Sequence, residues 1–182
     1  MFWCPAAGFN KYDKWMAGAI IHNYTLPLPR FRYFAVPLYA FGSRSFRMIG
    51  GAQFSFFPGK ENSQITLGLN GSSFSNDLYV DSAENKNFLH FTKYAPFVRY
   101  EFTNRGTVSR SLEWKTFLIS EKSLLFQREA SGAYKITYPT GHRYINQITY
   151  SHKNNRILYP YEFSLSGEQD RKSTRLNSSH RT

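Results

Sequence analysis

Ile157-Leu-Tyr-Pro-Tyr-Glu-Phe-Ser-Leu165 alternates with a period of two. Ile157, Tyr159, Tyr161, Phe163 and Leu165 fall on one side, and Glu162 and Ser164 on the other. Successive side chains of an extended strand point to opposite faces, so this pattern predicts a β-strand with one apolar and one polar face. Residues 46–57 behave likewise: Phe46, Met48, Gly50, Ala52, Phe54 and Phe56 alternate with Arg47, Ile49, Gly51, Gln53 and Ser55. In 64–72 the apolar set is Ile65, Leu67 and Leu69. Val98, Tyr100 and Phe102 oppose Arg99 and Glu101, while Leu112, Trp114, Thr116 and Leu118 oppose Glu113 and Lys115. Tyr144, Asn146, Ile148 and Tyr150 oppose Gln147, Thr149 and Ser151. Residues 14–22 and 31–41 are apolar on both sides, which leaves their facing open. The reading gives about eight strands, several near the roughly 9–11 residues that a tilted bilayer-crossing strand needs.

Turn chemistry separates them. Thr25-Leu-Pro-Leu-Pro, Gly42-Ser-Arg-Ser, Pro58-Gly-Lys-Glu-Asn-Ser, Thr103-Asn-Arg-Gly and Lys153-Asn-Asn-Arg are rich in Pro, Gly, Asn and Ser, the residues that favour turns. Residues 75–88 and 121–143 read as longer linkers, the second with a short alternating piece at Tyr134, Ile136 and Tyr138. Hairpin links between successive strands predict an antiparallel up-and-down meander.

Composition narrows the class. The chain has 182 residues, of which 18% are aromatic, yet its mean hydropathy is −0.49. So many aromatic residues argue against disorder. No run approaches the roughly 18 apolar residues of a membrane-spanning helix. The single cysteine, Cys4, excludes an internal disulfide framework and a cysteine-based zinc site. His22, His90, His142, His152 and His180 form no HExxH pair, so no cofactor or metal is expected. His22, Asp13, His90 and Glu121 have acid or base chemistry, but no spacing assembles a base, a nucleophile and an orienting group. No catalytic residue is assigned.

Asp170 to His180 reads Asp-Arg-Lys-Ser-Thr-Arg-Leu-Asn-Ser-Ser-His, which resembles the translation of a DNA-sequencing adapter. The division expected is therefore a native 1–169 and a non-native tail at 170–182. The tail holds four Lys and Arg against one Asp, so setting it aside lowers the formal charge from +11 to +8. On this reading the chain is a fragment, with the natural sequence continuing after Gln169 and Met1 an internal methionine.

Alternation alone does not separate a soluble sheet from a membrane barrel. Aromatic residues near strand ends, among them Trp15, Tyr24, Phe31, Phe46, Phe57, Tyr94, Phe102, Tyr144 and Tyr159, match the interfacial girdles of a barrel. The opposite face carries Gln, Thr, Ser, Asn, Gly and charges of both signs, as a wet interior would. The expectation is an all-β, antiparallel, up-and-down transmembrane β-barrel, incomplete in this chain. Trp15, Trp114, Tyr100, Tyr150, Tyr159, Tyr161 and Phe163 are its candidate lipid-facing or girdle residues. Arg99, Glu101, Glu113 and Lys115 are its candidate interior residues, read as a cross-strand ion-pair network.

Residues 5–166 resemble the C-terminal outer-membrane β-barrel region attached to bacterial zinc metallopeptidases of the membrane alanyl aminopeptidase (gluzincin) superfamily. Gly8-Phe-Asn-Lys-Tyr-Asp, Met16-Ala-Gly, Ile21-His-Asn-Tyr, Ala35-Val-Pro-Leu-Tyr-Ala-Phe-Gly-Ser and His152-Lys-Asn-Asn-Arg-Ile-Leu-Tyr-Pro-Tyr carry the likeness. The resemblance implies an outer-membrane location, contact with outer-membrane lipid and with the remainder of a parent chain, and a peptidase-like domain upstream. It brings no catalytic residue, because nothing here matches the family's zinc-binding motif.

Two other functions fit part of this pattern. Basic residues with interleaved aromatics can bind nucleic acid, but Lys60, Arg105, Arg110, Lys153 and Arg156 are scattered over turns and strand ends. No nucleic-acid partner is expected, and anionic headgroups at a membrane rim account for the charge. The alternative to the barrel is a soluble β-sandwich binding carbohydrate through exposed aromatics.

Overall fold

The computed structural model describes residues 1–59, 63–81, 84–103, 107–128, 134–156 and 158–172. Nine strands form one antiparallel sheet: β1 (Phe2–Asn10), β2 (Lys14–His22), β3 (Phe31–Ala40), β4 (Ser45–Phe56), β5 (Ser63–Val80), β6 (Lys86–Thr103), β7 (Val108–Lys122), β10 (Thr140–Asn154) and β11 (Tyr161–Lys172). A separate hairpin, β8 (Leu125–Arg128) with β9 (Tyr134–Thr137), lies between β7 and β10 in the chain. Each strand of the large sheet pairs with its predecessor and successor, so the meander expected from the hairpin links is present.

Among the described residues no ladder joins β1 to β11. The sheet is open: the antiparallel all-β meander expected of an incomplete barrel is present, and its closure is not formed by these strands. Three expectations are corrected. The strand β1 adds to the expected set: it carries no period-two signal, because Pro5, Ala6, Ala7 and Gly8 offer no contrast between faces. Residues 75–88 are not a linker: β5 runs to Val80 and β6 begins at Lys86, with a bulge between Ser75 and Asp77 that interrupts the period. The segment 121–143 holds the β8–β9 hairpin, which includes the short alternating piece at Tyr134 and Ile136.

The strand at 157–165 is also shifted. Ile157 lies outside the described residues, Tyr159 occupies a bend with φ near +59°, and the ladder begins at Tyr161. Pro160, which has no N–H to donate, separates the two. At the other end β11 runs on through Lys172, where Asp170 faces Ile145 across the ladder. The strand therefore crosses the boundary drawn at 169/170.

The sheet curls over one face. The β1–β2 turn is two strands away from β4 in the ladder order, yet Asp13 touches β4 and β5. Asn10 donates from Nδ2 to the Ser75 carbonyl at 3.0 Å, and Arg47 donates to Asp13 at 3.0 Å. Met16, Leu38 and Ala40 are buried on that inner face, with Ala6, Val36 and Phe74 packed against them. A single layer buries one face only by bending round it. Gly42 lets the β1–β2 and β3–β4 turns meet: its N–H donates to the Asp13 carbonyl at 2.9 Å. An added Cβ would stand 2.7 Å from that same oxygen.

Candidate functional site

Directly opposed residues of antiparallel strands share a face, so the ladders sort the side chains of all nine strands. One face runs, in register, through Ala17, Tyr39 and Phe46, and through Ala52, Leu69 and Pro96. Its other register lines include Phe54, Leu67, Val98, Trp114 and Ile148. None of these residues is charged, and this is the outward side: Leu67, Leu69, Val98, Leu112 and Ile148 are exposed, and Trp114 is 56% exposed. Polar residues do occur on it: Thr116 donates to Asn146 at 2.8 Å, while Arg110 opposite His152, and Ser120 and Lys122 opposite His142 and Thr140, lie towards the strand ends.

Aromatic residues on this face gather towards the two strand ends. At one end lie Phe9 with Trp15 and Tyr39 with Phe41 and Phe46, ring centroids 5.4–5.6 Å apart. At the other lie Phe31 with Tyr33, Phe54 with Phe56, and Tyr100 with Phe102. Short or aliphatic residues such as Ala35, Ala52, Leu69 and Val98 occupy the middle. Of the outward residues named from the sequence, Trp15, Tyr100, Tyr161 and Phe163 sit near strand ends and are exposed. Tyr150 is half-buried opposite Leu112 and Leu165. Trp114 lies mid-strand between Val98 and Ile148, and Tyr159 lies outside the ladder.

The inner face is polar over β6, β7, β10 and β11. The four residues named for an interior network do come together there. Arg99 faces Glu113 across the β6–β7 ladder and donates to it from Nε at 2.7 Å, with a second bond from Nη2. Lys115 reaches the other oxygen of Glu113 at 2.8 Å, and Glu101 stands 3.7 Å from Arg99. Gln147 donates to Glu168 at 2.6 Å and Arg143 pairs with Asp170, carrying the polar ladder to β11. Cross-strand pairs of this kind stabilise by about 0.2–1 kcal/mol each, less where water reaches them.

A second polar cluster was missed. Asp13, which the sequence offered only as one more acid, is fully buried in the β1–β2 turn. It accepts from Ser43 Oγ at 2.6 Å, Arg47 Nε at 3.0 Å, and the Ser75 N–H and hydroxyl, both at 2.8 Å. Burial alone would push its carboxyl up, but these donors outweigh it and hold the pKa below the usual carboxylate range. The β1–β2 turn reaches β5 at Ser75, just before the bulge, and there the Ser75 N–H and hydroxyl bring two donors to one carboxylate. Only the isolated Asp in a turn was visible beforehand; its partners come from three other elements.

Among the described residues no group of three His, Cys, Asp or Glu is placed to hold a metal ion, and no helix is long and apolar enough to cross a membrane. The geometry defines a single curled antiparallel sheet, mostly apolar outside, with an inner face that is apolar over β1–β3 and polar over β6–β11. Comparison with family models, with curated proteins and with solved structures finds no match.

Proposed function

We propose that this chain is a segment of an outer-membrane β-barrel that anchors the rest of its parent protein by burying its apolar sheet face in lipid. The carrying observation is the inversion of polarity. The uncharged set running from Ala17 to Ile148 is exposed, while Arg47, Ser55 and Thr66 are buried on the other side. In water the opposite arrangement is favoured, because burial of apolar surface drives folding. In hydrocarbon the outward apolar face is at home, and the aromatic ends fall where headgroups meet water. Backbone groups must all be paired there, so on this reading further strands close the edges at β1 and β11. The resemblance noted above supplies the cargo, a metallopeptidase-like domain upstream. The sheet itself is non-catalytic.

The test places Trp114 as the only tryptophan, by Trp3→Phe and Trp15→Phe, and refolds the chain into vesicles. Brominated acyl chains are expected to quench its fluorescence while aqueous iodide does not. Recovery as a detergent-free monomer with Trp114 open to iodide would overturn the reading.

A further inference from the structure

Among the described residues the inner face carries a cation with no carboxylate in ion-pair reach. Lys93, on β6, has no carboxylate within ion-pair distance among the described residues; its Nζ lies 4.3 Å from the centre of the Phe117 ring. Lys115 lies over the same ring at 5.9 Å and over Phe97 at 5.6 Å. Its one carboxylate, Glu113, is shared with Arg99. Within this cluster Arg99, Lys115 and Lys93 face only Glu113 and Glu101, which leaves one positive charge over. Lys93 and Lys115 are both half-buried, so water screens their charge incompletely.

Both line a concavity of about 260 Å³ that also presents Asn70 and Ser72. Ser72 is directly opposed to Lys93 across the β5–β6 ladder. Neither Asn70 nor Ser72 makes a side-chain hydrogen bond among the described residues, so an amide, a hydroxyl and two ammonium groups offer free donors to one space. Asn70 is held close over Gly51, where an added Cβ would lie 2.3 Å from its Oδ1. At roughly 30 Å³ per water, the space takes a tetrahedral oxyanion with several waters.

We infer that Lys93, Lys115, Asn70 and Ser72 form a seat for a small oxyanion group, of the phosphate kind, on the inner face of the sheet. The anion bridges the two ammonium groups through charge-assisted hydrogen bonds and cancels the residual charge. Arg99 and Glu113 hold Lys115 in place without touching the ligand. The seat needs only a polar, wetted inner face, so it is independent of whether lipid meets the other side.

The test is calorimetric titration of the full chain with inorganic phosphate, in neutral detergent or, if none is needed, in buffer, at low ionic strength. Saturable binding is expected, weakened about tenfold or more by Lys93→Gln and kept within roughly threefold by Lys93→Arg. A second arm adds phosphatidylglycerol vesicles. Lys93-dependent displacement of phosphate identifies a lipid headgroup as the source of the group; undisturbed binding identifies a free anion. No saturable phosphate binding, or equal binding by Lys93→Gln, overturns the inference. Because the titration does not depend on membrane insertion, its failure leaves the anchoring reading standing, and a soluble chain that binds phosphate would do the reverse.

Discussion

The two ends of the sheet share an outer face and differ inside. Over β1 to β3 the inner side is filled by Met16, Leu38 and Ala40 and locked by one buried carboxylate, Asp13, with four donor contacts. Over β6 to β11 it is an open ladder of ion pairs, Arg99–Glu113, Lys115–Glu113 and Arg143–Asp170, each partner at least partly wetted. One half concentrates its polar stabilisation in a single knot out of water, where every bond is strong and every loss is large. The other spreads it over many weak contacts that tolerate deletion.

Substitutions can break or sharpen that contrast. Asp13→Ala is expected to have the largest effect, about 3–5 kcal/mol, because it strands the buried Arg47 guanidinium; denaturant unfolding in detergent micelles measures it. The same residue sets an acid limit. Its folded-state pKa lies below its unfolded value, so its contribution is complete above the unfolded pKa and disappears as pH falls through the folded one. Asp13→Asn should flatten that part of the stability profile. Trp114→Arg comes next: about 2–4 kcal/mol in vesicles if its face meets hydrocarbon at mid-depth, against about 0.5 kcal/mol if it meets water. Glu113→Gln should be mildest, about 1 kcal/mol by the same unfolding assay, since water reaches Arg99 and Lys115 once they are released. Equal losses from Asp13→Ala and Glu113→Gln would erase the distinction between the two halves.

The alternation of Phe46 to Phe56 and of Val98 to Phe102 made the strands and their facing legible, and with them the meeting of Arg99, Glu101, Glu113 and Lys115. A period of two survives wherever one face is apolar and the other is not. It fails where both faces are small or oily, as in β1 and β2, and where a bulge shifts the phase, as at Ser75. The Asp13 cluster was invisible for a different reason. It joins a turn to residues 30 to 62 positions away, and only the curl of the sheet brings them together. The proposed phosphate seat was hidden likewise, since Lys93 and Lys115 reach one concavity only by approaching the same Phe117 ring from different strands.

The strands β5 and β6 have 18 residues each, roughly 60 Å of chain at about 3.4 Å per residue, where roughly 9–11 residues cross a bilayer. Among the described residues, beyond Ser73 and before Phe91 they pair in ladders with each other and with no other strand. On the anchoring reading this ribbon is a mast: it rises from one rim, stiffened by its own hydrogen bonds, while the opposite rim stays nearly flush. Tyr79 near its tip meets Phe126 of the β8–β9 hairpin edge to face at 6.2 Å, a stay that gives the anchor a distinct top and bottom.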